Sequence, residues 1–500
     1  MSSLLRNVTQ DSIDLLRKTI DGNSELTKAF TQPGSATTGI QNYSLEVPAK
    51  SLIPVLTPLR NRIPRRMATG GIQANWKAFT GVNTTNLDIG LSDGNRGGVM
   101  VETSADYSAS YKQLGLESSV TRGARLAAEQ FMDLLATGQT HLLWAVMLAE
   151  EALDLWGNAS QALGTPAQAG ASDVGTGGSL VFNTSYGIRV VALTLAGYAA
   201  STVAGGVRTS VTRTNADGTT DTYGGGSSIA SPVRNITTAN DAASTHSILA
   251  TVAPVVGAVA YAWFWGTGGV HTLGAITTIN SVVITAAATG SQVASGITSD
   301  NSTNALVYDG ILTQVAKQNY GGYFATMATG TAGVGTPLTG DTRGGIVEID
   351  LALKYFWDVS RLSPDTIWVS SQEAQNILNK VLNAGASGAQ RFMVTSDRGN
   401  LIAGDAVTTY LNKFTLNGAK PLTVRLHPNL PAGTLFFDSE SLPYPMSDVD
   451  AVLVKRLRQD YLAEVWPQTK RKVEYSVSFD GVLQNYAPFA FGVITNIANG

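Results

Sequence analysis

Apolar and polar residues alternate strictly near the end of the chain. Val473, Tyr475, Val477 and Phe479 interleave with Glu474, Ser476, Ser478 and Asp480. A period of two puts successive side chains on opposite faces of a strand, so one face meets a core and the other water. Tyr486, Ala487, Pro488, Phe489, Ala490 and Phe491 then turn the chain and keep it apolar nearly to its end. Most termini fray, so an end of this character is expected to be tied down, on its own domain or on a neighbour.

The same patterning divides the rest of the chain. Between Asp11 and Phe30, the positions of Ile13, Leu15, Leu16, Ile20 and Leu26 predict a short amphipathic helix. The segment LTPLRNRIPRR then sets Arg60, Arg62, Arg65 and Arg66 around Pro58 and Pro64. Prolines this close predict an extended path rather than a helix. Such a cationic strap can grip phosphates or the carboxylates of a neighbouring subunit. Residues 67–115 predict a long hairpin, with turns at Asp93-Gly94 and Gly97-Gly98 and a returning strand that alternates Ala105, Tyr107, Ala109 and Tyr111. An isolated hairpin buries little by itself, so it is expected to lie on another domain or another chain. From 121 to 157, Ala127, Phe131, Leu134, Gly138, Leu142, Ala145, Ala149 and Leu153 predict one long helix with a single apolar stripe, stopped near Asn158 and Gly164.

Composition then shifts. Between Glu151 and Lys317 there is neither lysine nor glutamate, and Gly, Ser, Thr, Ala and Val dominate. Candidate strands Tyr186–Leu195, Ala258–Trp265 and Ala275–Thr285, with turn-rich links such as Asn215-Ala216-Asp217-Gly218, predict an inserted β-sandwich with Trp263 in its core. Charge returns after about residue 305. A helix is expected through Ile349, Ala352, Leu353, Phe356 and Trp357, then a strand at Asp365–Val369. Ser370-x-x-Glu373 reads as a capping box opening a helix through Ala374, Ile377, Leu378, Val381 and Leu382, ended by Asn383 and Gly385. Strands at Pro421–Leu426, Thr434–Phe437 and Ala451–Arg458 complete an α+β unit.

Bulk properties narrow the function. Five hundred residues exceed what one core organises, so about two to four domains are expected. The hydrophobic share is 43% and the charged share 14%, against roughly 25% charged in ordinary soluble domains. Hydroxyl groups or partner subunits must therefore cover much of the surface. The net charge of −3 gives no global field to attract nucleic acid. Without cysteine there are no disulfides and no thiolate metal sites. The opening MSSLLRNVTQDSIDLLRK lacks the basic-then-apolar order of a secretory signal. The apolar run Ile248–Trp265 contains Pro254 and Gly257 and has no flanking cations, so it predicts a turn and a buried strand rather than a membrane helix.

Catalytic chemistry is not found. His141, His246, His271 and His427 are scattered without metal-ligand spacing, and there is no nucleophile elbow or phosphate-binding loop with its lysine. The glycine-rich run Ala328–Gly345 reads as a flexible loop. Asp448 and Asp450 share a strand face without a partner constellation and read as surface residues. No catalytic, cofactor or metal residue is assigned, and no cofactor is expected. Lys455, Arg456, Arg458, Lys470, Arg471 and Lys472 form a local basic patch without the aromatic interleaving that stacking on bases needs. Acids of another subunit are its preferred partners.

Taken in order, a basic arm, a long hairpin, a long helix, an α+β domain and an apolar C-terminal strand resemble the major capsid proteins of tailed double-stranded DNA phages of the Hong Kong 97 type. The residues that carry the resemblance are Pro58–Arg65, the hairpin around Trp76 to Lys112, the helix from Thr121, and Val473 to Ile494. The strings YGIRVVALTL and VGAVAYAWFW are similar to the immunoglobulin-like insertion of some members. The resemblance implies an N-terminal arm (1–66), an E-loop (67–115), a spine helix with part of the P domain (116–180) and an inserted sandwich (181–300). A return to the P domain (301–345), an A domain (346–450) and C-terminal strands shared by A and P (451–500) complete the order. It further implies hexamers and pentamers of an icosahedral head, with portal, scaffold and decoration proteins as partners, weak non-specific contact with packaged DNA, no membrane, assembly in the host cytoplasm and residence in the virion. Intersubunit contact is expected at Arg60, Arg62, Arg65, Arg66, Trp76, Lys77, Tyr107, Tyr111, Lys470, Arg471, Lys472, Tyr486, Phe489 and Phe491. Lys77 lies near the hairpin base rather than its tip, so a covalent crosslink through it is not expected. The residues before the arm are few for a cleaved scaffolding segment, so a separate scaffold is expected. A nanocompartment shell is the alternative within the same fold, and a surface adhesin the alternative of another class.

Overall fold

The strand read from Val473 to Phe479 extends over Lys472–Asn485 and lies inside a four-stranded sheet. It pairs antiparallel with Leu453–Val465 on one side and Lys112–Thr121 on the other. Arg65–Met67 adds a parallel edge to Leu453–Val465. The alternation predicts one wet face. Tyr475, Val477 and Phe479 are buried as expected, but Ser476 and Asp480 are buried as well. From Tyr475 onward both faces are largely covered.

The computed structural model describes residues 49–82, 89–129, 131–317, 321–382, 396–397, 400–401, 407–416 and 418–500. The helix expected within Asp11–Phe30 and the stop at Asn383 and Gly385 lie outside them. The chain divides into two units, Met1–Ile53 with Gly123–Leu134 and Pro54–Arg122 with Leu135–Gly500. The second unit is mixed α and β, with several sheets.

The long helix begins at Leu134, not at Thr121, and runs to Trp156. Thr121 is the last residue of a strand, and Arg122–Ala128 forms a separate short helix. The expected apolar stripe is also rotated. Ala145 and Ala149 are exposed, whereas Leu142, Val146, Glu150, Glu151, Asp154 and Leu155 are buried. Leu142 and Val146 pack on Leu457, Tyr475, Val477 and Phe479 of the four-stranded sheet. Gly138 allows that approach, since a β-carbon there would collide with the Tyr475 hydroxyl.

A six-stranded mixed sheet forms the main core. Its order is Tyr323–Thr326, Gly492–Thr495, Leu435–Asp438, Thr366–Val369, Lys420–Leu426 and Thr409–Asn412. The end of the chain is thus an inner strand, and this sheet joins segments that the expected P, A and C-terminal divisions separate. Helix Val347–Ser360 packs on it through Ile349, Ala352, Leu353 and Phe356. Ser370 Oγ accepts from Glu373 N at 3.2 Å at the start of helix Ser371–Leu382. The Glu373 carboxylate completes no box: it accepts from Asn376 and from Gly433 N.

Between residues 170 and 284, two antiparallel sheets face each other across a core. One has Gly170–Val174, Ser247–Thr251 and Ser281–Ile284. The other has Arg234–Thr237, Ser185–Leu193, Ala260–Gly266 and Thr272–Thr277. Ile188, Val190, Ile248, Ala250, Trp263 and Ile284 fill the space between them. Val191, Leu193, Ala262, Phe264 and Leu273 pack on the opposite side with Ala294 and Ile297. Covering on both faces explains why Ala260–Trp265 is continuously apolar rather than alternating.

Candidate assembly surfaces and a buried charge cluster

The arginine segment is not extended throughout. Pro58–Arg62 forms one short helix with Pro58 at its start, where the missing N–H is no loss, and Pro64 lies just beyond its end. Leu59 and Ile63 are buried in the main core. Glu151 of the long helix accepts from Leu59 N at 2.9 Å and Arg60 N at 2.6 Å, satisfying two of the short helix's free N–H groups.

The arginines then find partners within this chain. Arg60 Nε lies 3.1 Å from Glu150 Oε2 and donates to Tyr461 Oη at 2.9 Å. Arg65 bridges Glu150 at 2.8 Å and Asp460 at 2.5 Å. Arg62 pairs with Asp438 and, at 3.0 Å, with Glu440. Arg66 is the more exposed member and meets Asp450 at 3.1 Å, so Asp450 is a surface residue but has a partner.

Three acids on the buried face of the long helix sit at the centre. Lys455 pairs with Asp154, lies 3.4 Å from Glu150 and donates to Tyr308 Oη at 2.5 Å. Tyr308 in turn donates to Asp154 Oδ1 at 2.7 Å. Lys455, placed by its sequence in a surface patch, is therefore wholly buried in its own chain, because its strand faces the acids of the long helix. His427 Nε2 contacts Glu151 Oε1 at 2.8 Å, and its Nδ1 accepts from Asn429 N at 3.1 Å. That second bond puts the ring proton on Nε2, where it donates to Glu151.

Burial pushes the Glu150 carboxyl up, but Lys455 and Arg65 outweigh it and hold it below its ordinary value. Asp154 goes the other way. Burial, reinforced by neighbouring Glu150, raises it to about 6 against the pull of Lys455. Its Oδ2 is buried without a hydrogen-bond partner. The cluster ties arm, long helix and C-terminal sheet together. Composition could not reveal it, because the acids lie among apolar residues and their partners are about 90 to 300 positions away.

The remaining contact candidates separate by exposure. Phe491 is fully buried, stacked on Phe436 with centroids 6.2 Å apart, and Phe489 packs partly against the same core. Phe491 cannot meet a neighbour, because it is wholly buried where the turn Pro488–Ala490 leads into the inner strand Gly492–Thr495. Tyr111 is buried under the Arg458 guanidinium. Tyr486 is half-buried, accepts from Arg456 and meets Trp76 edge-on at 6.1 Å. Trp76 and Tyr107 stack at 5.7 Å across the hairpin, and exposed Lys77 faces Asp106 at 3.3 Å. Lys470 and Arg471 are exposed, and Lys472 pairs with Glu474.

The hairpin itself is largely exposed. Among the described residues, Gln73–Val82 pairs only with Glu102–Ser110, as a two-stranded sheet. Toward its far end Phe79 is 72% exposed, Ile89 85% and Val99 89%. Among the described residues there is no group of acids and histidines able to hold a metal and no helix long and apolar enough to cross a membrane.

No family model and no curated protein matches this chain. Among solved structures it is similar to a chain in the capsid of Myoviridae phage XM1, at TM-score 0.40 and 10% identity over 91% of this chain and 97% of that one. It is similar to a chain of Mycobacterium phage Bobi at TM-score 0.39 and 10% identity, covering 90% and 95%. A chain in the capsid of a native GTA particle gives TM-score 0.40 and 8% identity, covering 92% and 96%.

Proposed function

We propose that this chain is a major capsid subunit of a tailed double-stranded DNA phage, building the icosahedral head of the virion. The observation that carries this reading is the long hairpin that, among the described residues, pairs only with itself and displays apolar residues along its outer half. A two-stranded ribbon is marginal in water, and exposed apolar groups gathered on one element mark a surface that a partner covers. Repetition of such a contact through hexamers and pentamers closes a shell from weak individual interfaces. In this reading the hairpin is the E-loop, Leu134–Trp156 the spine helix, and the two facing sheets an immunoglobulin-like insertion on the shell. Exposed Lys77, Lys470 and Arg471, the hairpin ring Trp76 and half-buried Tyr486 are the remaining contact candidates. Portal, scaffold and decoration proteins are its partners, and packaged DNA is touched weakly. The role is structural rather than enzymatic. Purified protein imaged by electron microscopy is expected to form large closed particles. A chain that stays monomeric at high concentration overturns the proposal.

A further inference from the structure

Lys455 and Asp154 touch in a part of the molecule that water does not reach. Lys455 is 1% exposed, Tyr308 2%, and Asp154 and Glu150 not at all. The Lys455 Nζ donates to Asp154 Oδ1. It sits 4.2 Å from the centre of the Tyr308 ring and 5.9 Å from that of Phe479. A nitrogen that touches a carboxylate oxygen is one bond from the carboxyl carbon. Reacting atoms held about 3–3.5 Å apart in an aligned pair react as if at very high concentration. Here helix Leu134–Trp156 carries the carboxyl and strand Leu453–Val465 the amine.

The surroundings favour attack by that amine. Tyr308 Oη donates to Asp154 Oδ1 at 2.7 Å, the oxygen on which negative charge develops when a nucleophile adds to the carbon. Asp154 Oδ2 has no hydrogen-bond partner among the described residues, so it is the oxygen free to leave. Glu150 lies one helical turn before Asp154 on the same face, with Oε1 3.4 Å from Lys455 Nζ. Arg60, Arg65 and Tyr461 fix its carboxylate. Lys455 and Arg65 hold that group below its ordinary value, so it is charged and able to accept a proton. Burial makes a charged pair costly, and the Asp154 carboxyl, raised by burial to about 6, takes up a proton readily.

We propose that Lys455 and Asp154 condense into an amide within a single chain, with Glu150 relaying protons. One proton passes from Nζ to the Asp154 carboxylate, leaving an amine and a carboxylic acid. The Nζ lone pair then attacks Cγ, an Nζ–Cγ bond forms, and Oδ1 carries the transient charge beside Tyr308. Glu150 takes a second proton from Nζ and returns it to Oδ2. The Cγ–Oδ2 bond breaks with its electron pair on oxygen, and one water leaves. Nζ keeps its last proton as the amide N–H, so nothing is oxidised or reduced. The product is neutral where two charges were buried, and it joins residues 301 positions apart. Only a chain that has not condensed keeps Asp154 titratable.

The full-length protein is held folded at neutral pH, then denatured, and its intact mass is measured. Condensation lowers that mass by one water, and protease digestion yields one branched peptide joining Lys455 to Asp154. Lys455→Met and Asp154→Ala should keep the full mass. Glu150→Gln, checked for a native circular-dichroism spectrum, should lose water about a hundredfold more slowly, the contribution of a positioned proton-transfer group. Full mass in the folded wild type after prolonged incubation overturns the proposal. So does a water loss that maps to another pair or that persists in Lys455→Met. Equal rates in wild type and Glu150→Gln remove Glu150 from the step and overturn the chemistry as stated. Should a variant fail to fold, the wild-type mass and the branched peptide decide alone. The outcome is independent of the shell reading, because the mass is read on the denatured chain from any assembly state.

Discussion

Glu151 shows how much one side chain can organise. It accepts from two backbone N–H groups of the arm and from His427, with no exposure to water. Glu151→Ala is expected to destabilise the chain by about 3–5 kcal/mol, as for a broken buried charge network, measured by denaturant unfolding. A loss within about 0.5 kcal/mol would show that the arm is held by Leu59 and Ile63 alone. Asp154 gives a pH signature. Its folded value, raised to about 6 from an ordinary 3.8, means that the folded state keeps a proton that the unfolded state releases. Its stabilising effect is full below 3.8 and is lost as pH rises through 6. Glu150, held low, acts oppositely and favours the fold at higher pH. Asp154→Asn should therefore remove the decline in stability between about pH 4 and 6. An unchanged pH profile in that variant would refute the assignment.

At the scale of elements, the two facing sheets are tied to the main core by buried polar groups. Asn280 is fully buried, accepts from Asn496 Nδ2 at 3.0 Å and donates to Val252 O at 2.7 Å, while its N–H donates to Asn496 Oδ1 at 2.8 Å. The facing sheets are thereby latched to the last residues of the main core. Asn280→Ala should lower stability by about 1–3 kcal/mol through the polar groups it leaves unpaired, seen as a lower thermal midpoint. No change would mean that the latch contributes nothing. Elements themselves are well marked in the sequence. Helix Val347–Ser360, strand Thr366–Val369 and strand Lys472–Asn485 lie where periodicity places them. The long helix departs from its expected start and face, because Ala145 and Ala149 mimic an apolar stripe while the buried positions beside them are acids. Periodicity counts apolar residues and does not register a carboxylate that is buried because an arginine or lysine is waiting for it.

For the whole molecule, the hairpin is an element that, among the described residues, leaves apolar side chains uncovered. The double variant Ile89→Ser and Val99→Ser alters exposed positions only. It should leave the thermal midpoint of the unassembled chain unchanged while reducing particle yield several-fold by sedimentation. Equal yield would remove the hairpin from the assembly surface. By itself the sequence determined the order of arm, hairpin, helix, sheets and apolar terminus, since each arises from local periodicity and turn chemistry. It also determined the continuous apolar strand around Trp263. Only the tertiary structure decided that the arginines and Lys455 are answered within the chain and that the last strand is internal. Those outcomes depend on which charges and hydrogen-bonding groups meet across hundreds of residues, and no local pattern of hydrophobicity encodes that pairing.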